Sequence, residues 1–135
     1  MGKSLKKWEV SSAGVKALRH AYPHDVVNTY LHNKGLPIYN HRAQQITKKV
    51  LNRYYWILVM ENEHKNHINK LDAQLDSRMF TVREFGLDVP PEEADMPDPT
   101  GKETENFKQL FTILEYEIPR IANYISNKAF ELEGP

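Results

Sequence analysis

Apolar residues along the chain fall into short runs and amphipathic segments separated by proline and glycine. The clearest run is Trp56 to Met60, a continuous apolar stretch typical of a strand covered on both faces of a parallel sheet. Two further strands are predicted, one at Trp8 to Ser12, where apolar and polar residues alternate before Ala13-Gly14, and one at Met79 to Val82. The alternation of such strands with helical segments predicts an α/β fold.

Four helices are predicted from apolar residues spaced three and four apart. The first covers His24 to Lys34, with Gly35 at the position of a helix C-cap. Thr47 is the expected N-cap of a short second helix. The third helix covers about Asn62 to Leu75, and the last begins near Lys102.

The apolar stripes of these helices mark the faces expected to contact the core. Pro119 lies inside the last helix and is expected to kink it, because proline lacks the backbone donor that a helix needs. The residues predicted to face inward are Val26, Val27, Tyr30 and Leu31; Val50, Leu51 and Tyr54; Ile68, Leu71 and Leu75; and Phe107, Leu110, Phe111, Leu114, Ile118, Ile121 and Ile125.

The segment from Gly86 to Gly101 carries four prolines and many acidic residues, and it is predicted to be an exposed loop. Within it, prolines stiffen the backbone around two carboxylates in the stretch Asp95-Met96-Pro97-Asp98-Pro99. On spacing alone this is a rigid surface turn. The alternative is a carboxylate held at a cleft as a proton donor.

Composition narrows the function classes. A chain of 135 residues with 40% hydrophobic content fits one domain covering residues 1–135. Its 18 basic residues balance 18 acidic ones, so neither nucleic acid nor an anionic membrane is an expected partner. No stretch approaches the roughly 20 apolar residues of a membrane span, and the first seven residues do not resemble a secretory signal. We expect a cytoplasmic protein.

The chain contains no cysteine, which excludes disulfides, thiolate metal sites and thiol nucleophiles within these residues. Gly2-Lys3-Ser4 lacks the upstream glycine and buried strand of a phosphate-binding P-loop. Glu61, His64 and His67 are spaced like metal ligands on a helix, but a solvated helix face is the favoured interpretation. No Gly-x-Ser-x-Gly pattern supports a serine nucleophile. No metal or cofactor is therefore predicted.

Four segments in order resemble the low-molecular-weight protein tyrosine phosphatases: WEVSSAG from Trp8, HRAQQIT from His41, WILVME from Trp56, and Asp98-Pro99 before the last helix. The resemblance implies a small open parallel sheet with helices on both faces. It also implies phosphomonoester hydrolysis of a phosphoprotein, in which a cysteine of a Cys-x5-Arg loop attacks phosphorus and an aspartate protonates the leaving oxygen.

Carried onto this sequence, the resemblance makes Asp98 the general acid, with Asp95 a weaker second candidate. It makes Ser12 and His41 members of the polar network that braces the phosphate loop. From the residues alone, Ser12 and His41 would be local capping groups at a strand end and a loop.

The chain departs from the family at its N-terminal end, because the Cys-x5-Arg loop and first strand are expected upstream of Trp8. Neither Arg19 nor Arg42 occupies the place of the missing arginine. The 135 residues alone are therefore expected to be inactive. The missing strand lies, in the family, between the one at Trp8 and the one at Trp56, so an open sheet edge is expected to accept a strand or to form a homo-oligomer.

Three hypotheses follow. The chain is part of a genuine phosphatase, or a pseudophosphatase that binds a partner, or a hydrolase with a different nucleophile. Specificity for phosphotyrosine or phosphoarginine stays open, since Thr100-Gly101 follows Asp98-Pro99 where phosphotyrosine enzymes often have aromatic residues. Arsenate reduction, known among relatives, is disfavoured by the absence of cysteine.

Overall fold

The structure, a computed structural model, describes residues 8–14, 22–23, 25–36, 42–97 and 104–133. Its elements in chain order are α1 (Asp25–Asn33), α2 (Lys48–Leu51), β1 (Ile57–Val59), α3 (Asn62–Leu71), a 3₁₀ helix (Ala73–Arg78), β2 (Met79–Thr81) and α4 (Thr104–Glu133). Within these ranges, no helix combines the length and the apolar character that crossing a membrane requires.

The two strands form a parallel pair in which Leu58 lies opposite Phe80. This confirms the strands predicted at Trp56 to Met60 and Met79 to Val82. The carbonyl of Val59 accepts a hydrogen bond from the amide of Val82 (2.9 Å), so the backbone groups of Val59 face β2. Backbone groups alternate in direction along a strand, so those of Leu58 point to the opposite edge of β1. No described strand pairs with that edge.

Helices cover both faces of the sheet, as predicted. One face packs against α2, α3 and the 3₁₀ helix, and its buried cluster consists of Leu51, Ile57, Val59, Ile68, Leu75 and Met79. The other face packs against α4, through a cluster that contains Val82, Phe85 and Ile121 with Trp56, Leu58, Phe80, Leu114, Tyr124 and Ile125 against it. The alternation of side chains along each short strand therefore supplies two separate cores.

Local sequence signals predicted helix termini correctly at two positions. The side chain of Thr47 accepts a hydrogen bond from the amide of Val50, which confirms it as the N-cap of α2. Gly35 follows α1 with φ of 75°, the left-handed conformation expected after a helix. The loop predicted after Gly86 contains no helix or strand through residue 97.

The predicted end of the third helix was wrong. α3 stops at Leu71, because Asp72 adopts an extended backbone and its side chain accepts a hydrogen bond from Gln74, starting a 3₁₀ helix instead. Leu75 still reaches the core from that 3₁₀ helix. Leu71, predicted to face inward, is exposed at the end of α3.

α4 runs continuously through Pro119. Phe107, Phe111 and Ile121 are buried as predicted, but Ile118 is 53% exposed and its inward assignment was wrong. In this half of α4, Glu117 is buried, and Arg120 donates to the carbonyls of Val82 and Phe85 in the turn after β2. Ile118 is left at the outer margin of the apolar stripe.

The strand predicted at Trp8 to Ser12 is also not formed. Gly14 alone makes a parallel bridge, with Gln45. Trp8 instead stacks on Trp56, with ring centroids 5.4 Å apart and an interplanar angle of 4°. A strand requires a neighbour along its length, and no described strand lies beside this segment.

α1 packs on α4 through Tyr30, whose ring stacks on Phe111 with centroids 4.0 Å apart. The Tyr30 hydroxyl donates a hydrogen bond to Glu115, and the ammonium group of Lys34 lies 3.1 Å from the same carboxylate. Both hydrogen bonds lower the pKa of Glu115, and the bond from Tyr30 has the larger effect. α1 has no fully buried residue, and this contact joins it to α4.

Gly86 and Gly35 form a matched pair for a stability test. Both have φ near 75°, but a Cβ added at Gly86 would lie 2.8 Å from the ring of Tyr124, whereas at Gly35 it would meet nothing within 4 Å. We expect Gly35→Ala to lower the free energy of unfolding by about 1 kcal/mol through backbone strain alone. Gly86→Ala adds a clash, for a total of about 2–4 kcal/mol. Urea unfolding measures both, and equal losses would contradict the packing at Tyr124.

Candidate functional site

The carboxyl ends of β1 and β2 lie at one edge of the sheet, where ligands bind in open α/β folds. The acidic loop reaches this edge. The amide of Met96 donates to the carbonyl of Met60, just after β1, at 2.7 Å. A guanidinium nitrogen of Arg83, just after β2, donates to the carbonyl of Asp95 at 3.2 Å. The loop is thus hydrogen-bonded to the segment after β1 and to the segment after β2.

Asp95 also bonds to the first residue of α3. Its Oδ1 accepts hydrogen bonds from the backbone amide of Asn62 at 2.7 Å and from the Asn62 side chain at 3.2 Å. Its own amide donates to Glu93 at 2.9 Å. A carboxylate at a helix N-terminus satisfies free amide donors and interacts favourably with the helix dipole. The acidic loop is therefore anchored by a side chain as well as by its backbone.

Asp98 lies outside the described residues. It is the third residue after Asp95 along the chain. The acidic loop is therefore anchored close in sequence to the candidate acid.

A second polar group lies beside β2. The hydroxyl of Thr81 donates to Glu84 at 2.7 Å, and the ammonium group of Lys65 from α3 lies 2.9 Å from the same carboxylate. Burial acts to raise the pKa of Glu84, but the hydrogen bonds from Thr81 and Lys65 outweigh it and hold the pKa below its ordinary value. Glu84 is therefore ionised at neutral pH and joins β2 to α3.

This lowered pKa predicts a pH dependence of stability. Because the folded pKa of Glu84 lies below its unfolded value, its contribution is present above the unfolded pKa and is lost as pH falls through the folded pKa. Glu84→Gln should therefore destabilise the protein more at pH 7 than at pH 3 in urea unfolding. Glu92→Gln, an exposed position on the following loop, is the control and should change little at either pH. An equal effect of Glu84→Gln at both pH values would contradict this assignment.

Ser12 belongs to a separate contact. Gln44 donates through Nε2 to the carbonyl of Ser12 at 2.7 Å and to the hydroxyl of Ser11 at 3.1 Å. Gly14 exchanges backbone hydrogen bonds with Gln44 and Ile46, each at 2.9 Å. The stretch from Ser11 to Gly14 is thus joined to residues 44–46, two positions beyond Arg42.

Comparison with known proteins identifies the family. The family model described as low molecular weight phosphotyrosine protein phosphatase matches residues 2–130. The chain belongs to this family. A Klebsiella pneumoniae protein assigned to the low molecular weight protein-tyrosine-phosphatases is 34% identical over 112 residues, covering 82% of this chain and 74% of the relative.

Solved structures agree with the family assignment. The YwlE arginine phosphatase from Geobacillus stearothermophilus superposes with a TM-score of 0.84 at 27% identity, covering 98% of this chain and 82% of YwlE. The tyrosine phosphatase Wzb from Escherichia coli K30, in complex with sulphate, superposes with a TM-score of 0.79 at 23% identity and supports the fold. It covers 91% of this chain and 82% of Wzb.

The structure describes some of the phosphatase-site residues predicted from the sequence. Ser12 is exposed and contacts Gln44 through its backbone carbonyl. His41 and Asp98 lie outside the described residues, and Asp95 caps α3. In the described part of the chain, no three side chains of the metal-ligating types lie close enough together to hold a metal ion.

Sequence reasoning missed the residues that bind the acidic loop and the Ser12 segment to the rest of the chain. Asn62, Arg83 and Gln44 each bond to a segment that is distant in sequence. The four motifs carried a weak signal for Gln44, which lies in HRAQQIT. No periodicity or local spacing marks Asn62 or Arg83, because their partners lie 33 and 12 residues away.

Proposed function

We propose that this chain forms the general-acid side of a protein phosphatase that hydrolyses phosphomonoesters through a cysteinyl-phosphate intermediate. The observation that supports this most directly is the acidic loop, bonded at Met60 and Asn62 to the carboxyl end of β1. A general acid must lie near the leaving oxygen, and this edge is where such folds bind ligands. The cytoplasmic location predicted from the sequence is part of the proposal.

Asp98 is the proposed general acid, protonating the leaving oxygen. Ser12 and His41 are the proposed braces of the phosphate loop. The contact of Gln44 with Ser11 and Ser12 supports a common role, because it joins Ser12 to the chain a few residues beyond His41. Asp95 is the second candidate acid, and its Oδ1 accepts two hydrogen bonds from Asn62.

The nucleophile is not supplied by these 135 residues, because the sequence contains no cysteine. Residues 1–135 are accordingly proposed to be a single phosphatase-like domain whose Cys-x5-Arg loop and first strand are encoded upstream of Met1. Without a thiolate and a ring of amides around phosphorus, neither attack nor charge stabilisation takes place. The isolated chain is therefore proposed to be inactive.

The substrate is proposed to be a phosphorylated protein side chain. Relatives of this chain include proteins named as tyrosine phosphatases and one named as an arginine phosphatase. In this sequence Asp98-Pro99 is followed by Thr100-Gly101, whereas aromatic residues often follow in phosphotyrosine enzymes. Phosphotyrosine and phosphoarginine are both retained as substrates to be assayed.

A side-by-side assay tests the proposal. The 135-residue chain and a version extended upstream by its native codons are compared on an aryl phosphate and on a phosphoarginine substrate. We expect no phosphate release above the buffer rate from the 135-residue chain, and turnover from the extended version. Turnover by the 135-residue chain that disappears in Asp98→Asn would contradict the proposal and indicate a different nucleophile.

The second candidate function is a pseudophosphatase that accepts a strand from a partner or from a second copy. The observation that favours it is the edge of β1 opposite β2, where the backbone of Leu58 has no described strand beside it. An open edge of this kind recruits another chain. Light scattering at two concentrations distinguishes the cases, since self-association raises the mass at the higher concentration and a monomer keeps its mass.

A further inference from the structure

α3 does not cap its own N-terminus with a neighbouring side chain. Its N-cap residue, Glu61, makes no side-chain hydrogen bond to the helix. Asp95, 33 residues later in the chain, supplies the acceptor to the amide of Asn62 instead. A local cap would satisfy the helix without touching the loop, whereas this cap fixes the loop and the helix to each other.

The loop is fixed on both sides of the Asp95 side chain. The amide of Met96 donates to Met60, and the Met96 side chain is almost completely buried, at 3% exposure. The carbonyl of Asp95 accepts from Arg83. Two consecutive residues therefore contact the segments after β1 and after β2 together with the start of α3.

We propose that Asp95 is a positioning residue that holds the acidic loop, three residues before the proposed acid in sequence, at the carboxyl edge of the sheet. This inference deepens the proposed function and rests on it for the role of Asp98. Asp95 acts by accepting the two Asn62 hydrogen bonds, which keep the Met96 to Met60 bond in place. Pro97 lies between this anchor and Asp98 in sequence, and proline restricts the backbone at its own position.

The test measures amide hydrogen exchange by NMR in the 135-residue chain, so it does not require catalytic activity. In Asp95→Ala, the Met96 and Asn62 amides should exchange about tenfold faster or more, as expected for the loss of a hydrogen bond to a charged group. Asp95→Asn keeps an acceptor oxygen and should restore most of the protection. Asp88→Ala is the matched control, because Asp88 is an exposed acid of the same loop with no partner among the described residues.

Two results would overturn the proposal. One is faster exchange at Asn62 with unchanged exchange at Met96, which would make Asp95 a helix cap only. The other is no rescue by Asp95→Asn. If Asp95→Ala does not fold, amide exchange in the unmutated chain tests the proposal instead. The amides of Asn62 and Met96 should then exchange through one shared denaturant-dependent opening, and separate openings would contradict the proposal. Failure of the proposed function would appear instead in the phosphatase assay, with these exchange rates unaffected.

Discussion

Replacing Asp98 with asparagine in the upstream-extended chain is expected to lower kcat by about 10²–10⁴-fold, the usual contribution of a general acid. Asparagine has nearly the same shape but cannot donate a proton to the leaving oxygen. The loss should be larger for phenyl phosphate than for p-nitrophenyl phosphate, because the poorer leaving group depends more on protonation. Steady-state kinetics on the two substrates measure the difference.

The matched control for this substitution is Asp88→Asn. It removes the same charge from an exposed position at the start of the acidic loop. It should leave kcat within about twofold, since surface charges away from the reacting atoms contribute little. An equal loss in both variants would assign the effect to the charge of the loop and remove Asp98 from the acid role.

Replacing Arg120 with alanine is expected to lower the free energy of unfolding by about 3 kcal/mol. From α4, Arg120 donates to the carbonyls of Val82 (2.9 Å) and Phe85 and to the carboxylate of Glu117 (2.7 Å). Glu117 is buried, so the substitution leaves its charge without this partner. Urea unfolding at neutral pH measures the loss.

Two further variants separate the parts of this effect. Arg120→Lys keeps the positive charge but not the planar fork that reaches several acceptors, and should lose an intermediate amount. The double variant Arg120→Met with Glu117→Leu removes both charges and should recover much of the stability. A loss below about 0.5 kcal/mol in Arg120→Ala would contradict the structural role of this cluster, because surface substitutions typically cost no more than that.

The parts of the fold that were predicted correctly are those with local causes. Five consecutive apolar residues suffice to identify β1, and Thr47 caps α2 through a bond within its own turn. The errors arise where a contact between residues distant in sequence determines the local structure. Trp8 to Ser12 alternates like a strand but has no described strand beside it. Ile118 continues the apolar stripe of α4, but the turn after β2 contacts Arg120 and Ile121, and Ile118 is exposed.

The candidate site also combines features that the sequence predicts with features that depend on distant contacts. The motif around Asp98-Pro99 and the absence of cysteine are properties of the sequence itself, so the resemblance to the family and the lack of a cysteine nucleophile could be inferred before the structure. The role of Asp95 could not. Asp95 resembles any acidic residue of a proline-rich loop until Asn62, brought to it by the parallel crossover, donates its hydrogen bonds.

Amide exchange at Leu58 tests the central claim most directly, because its backbone faces the edge of β1 that the upstream strand is proposed to occupy. In the 135-residue chain we predict that this amide exchanges much faster than that of Val59, which faces β2. In the upstream-extended chain it should become protected by about 100-fold or more, as for a buried sheet hydrogen bond. Strong protection of Leu58 already in the monomeric 135-residue chain would contradict the account.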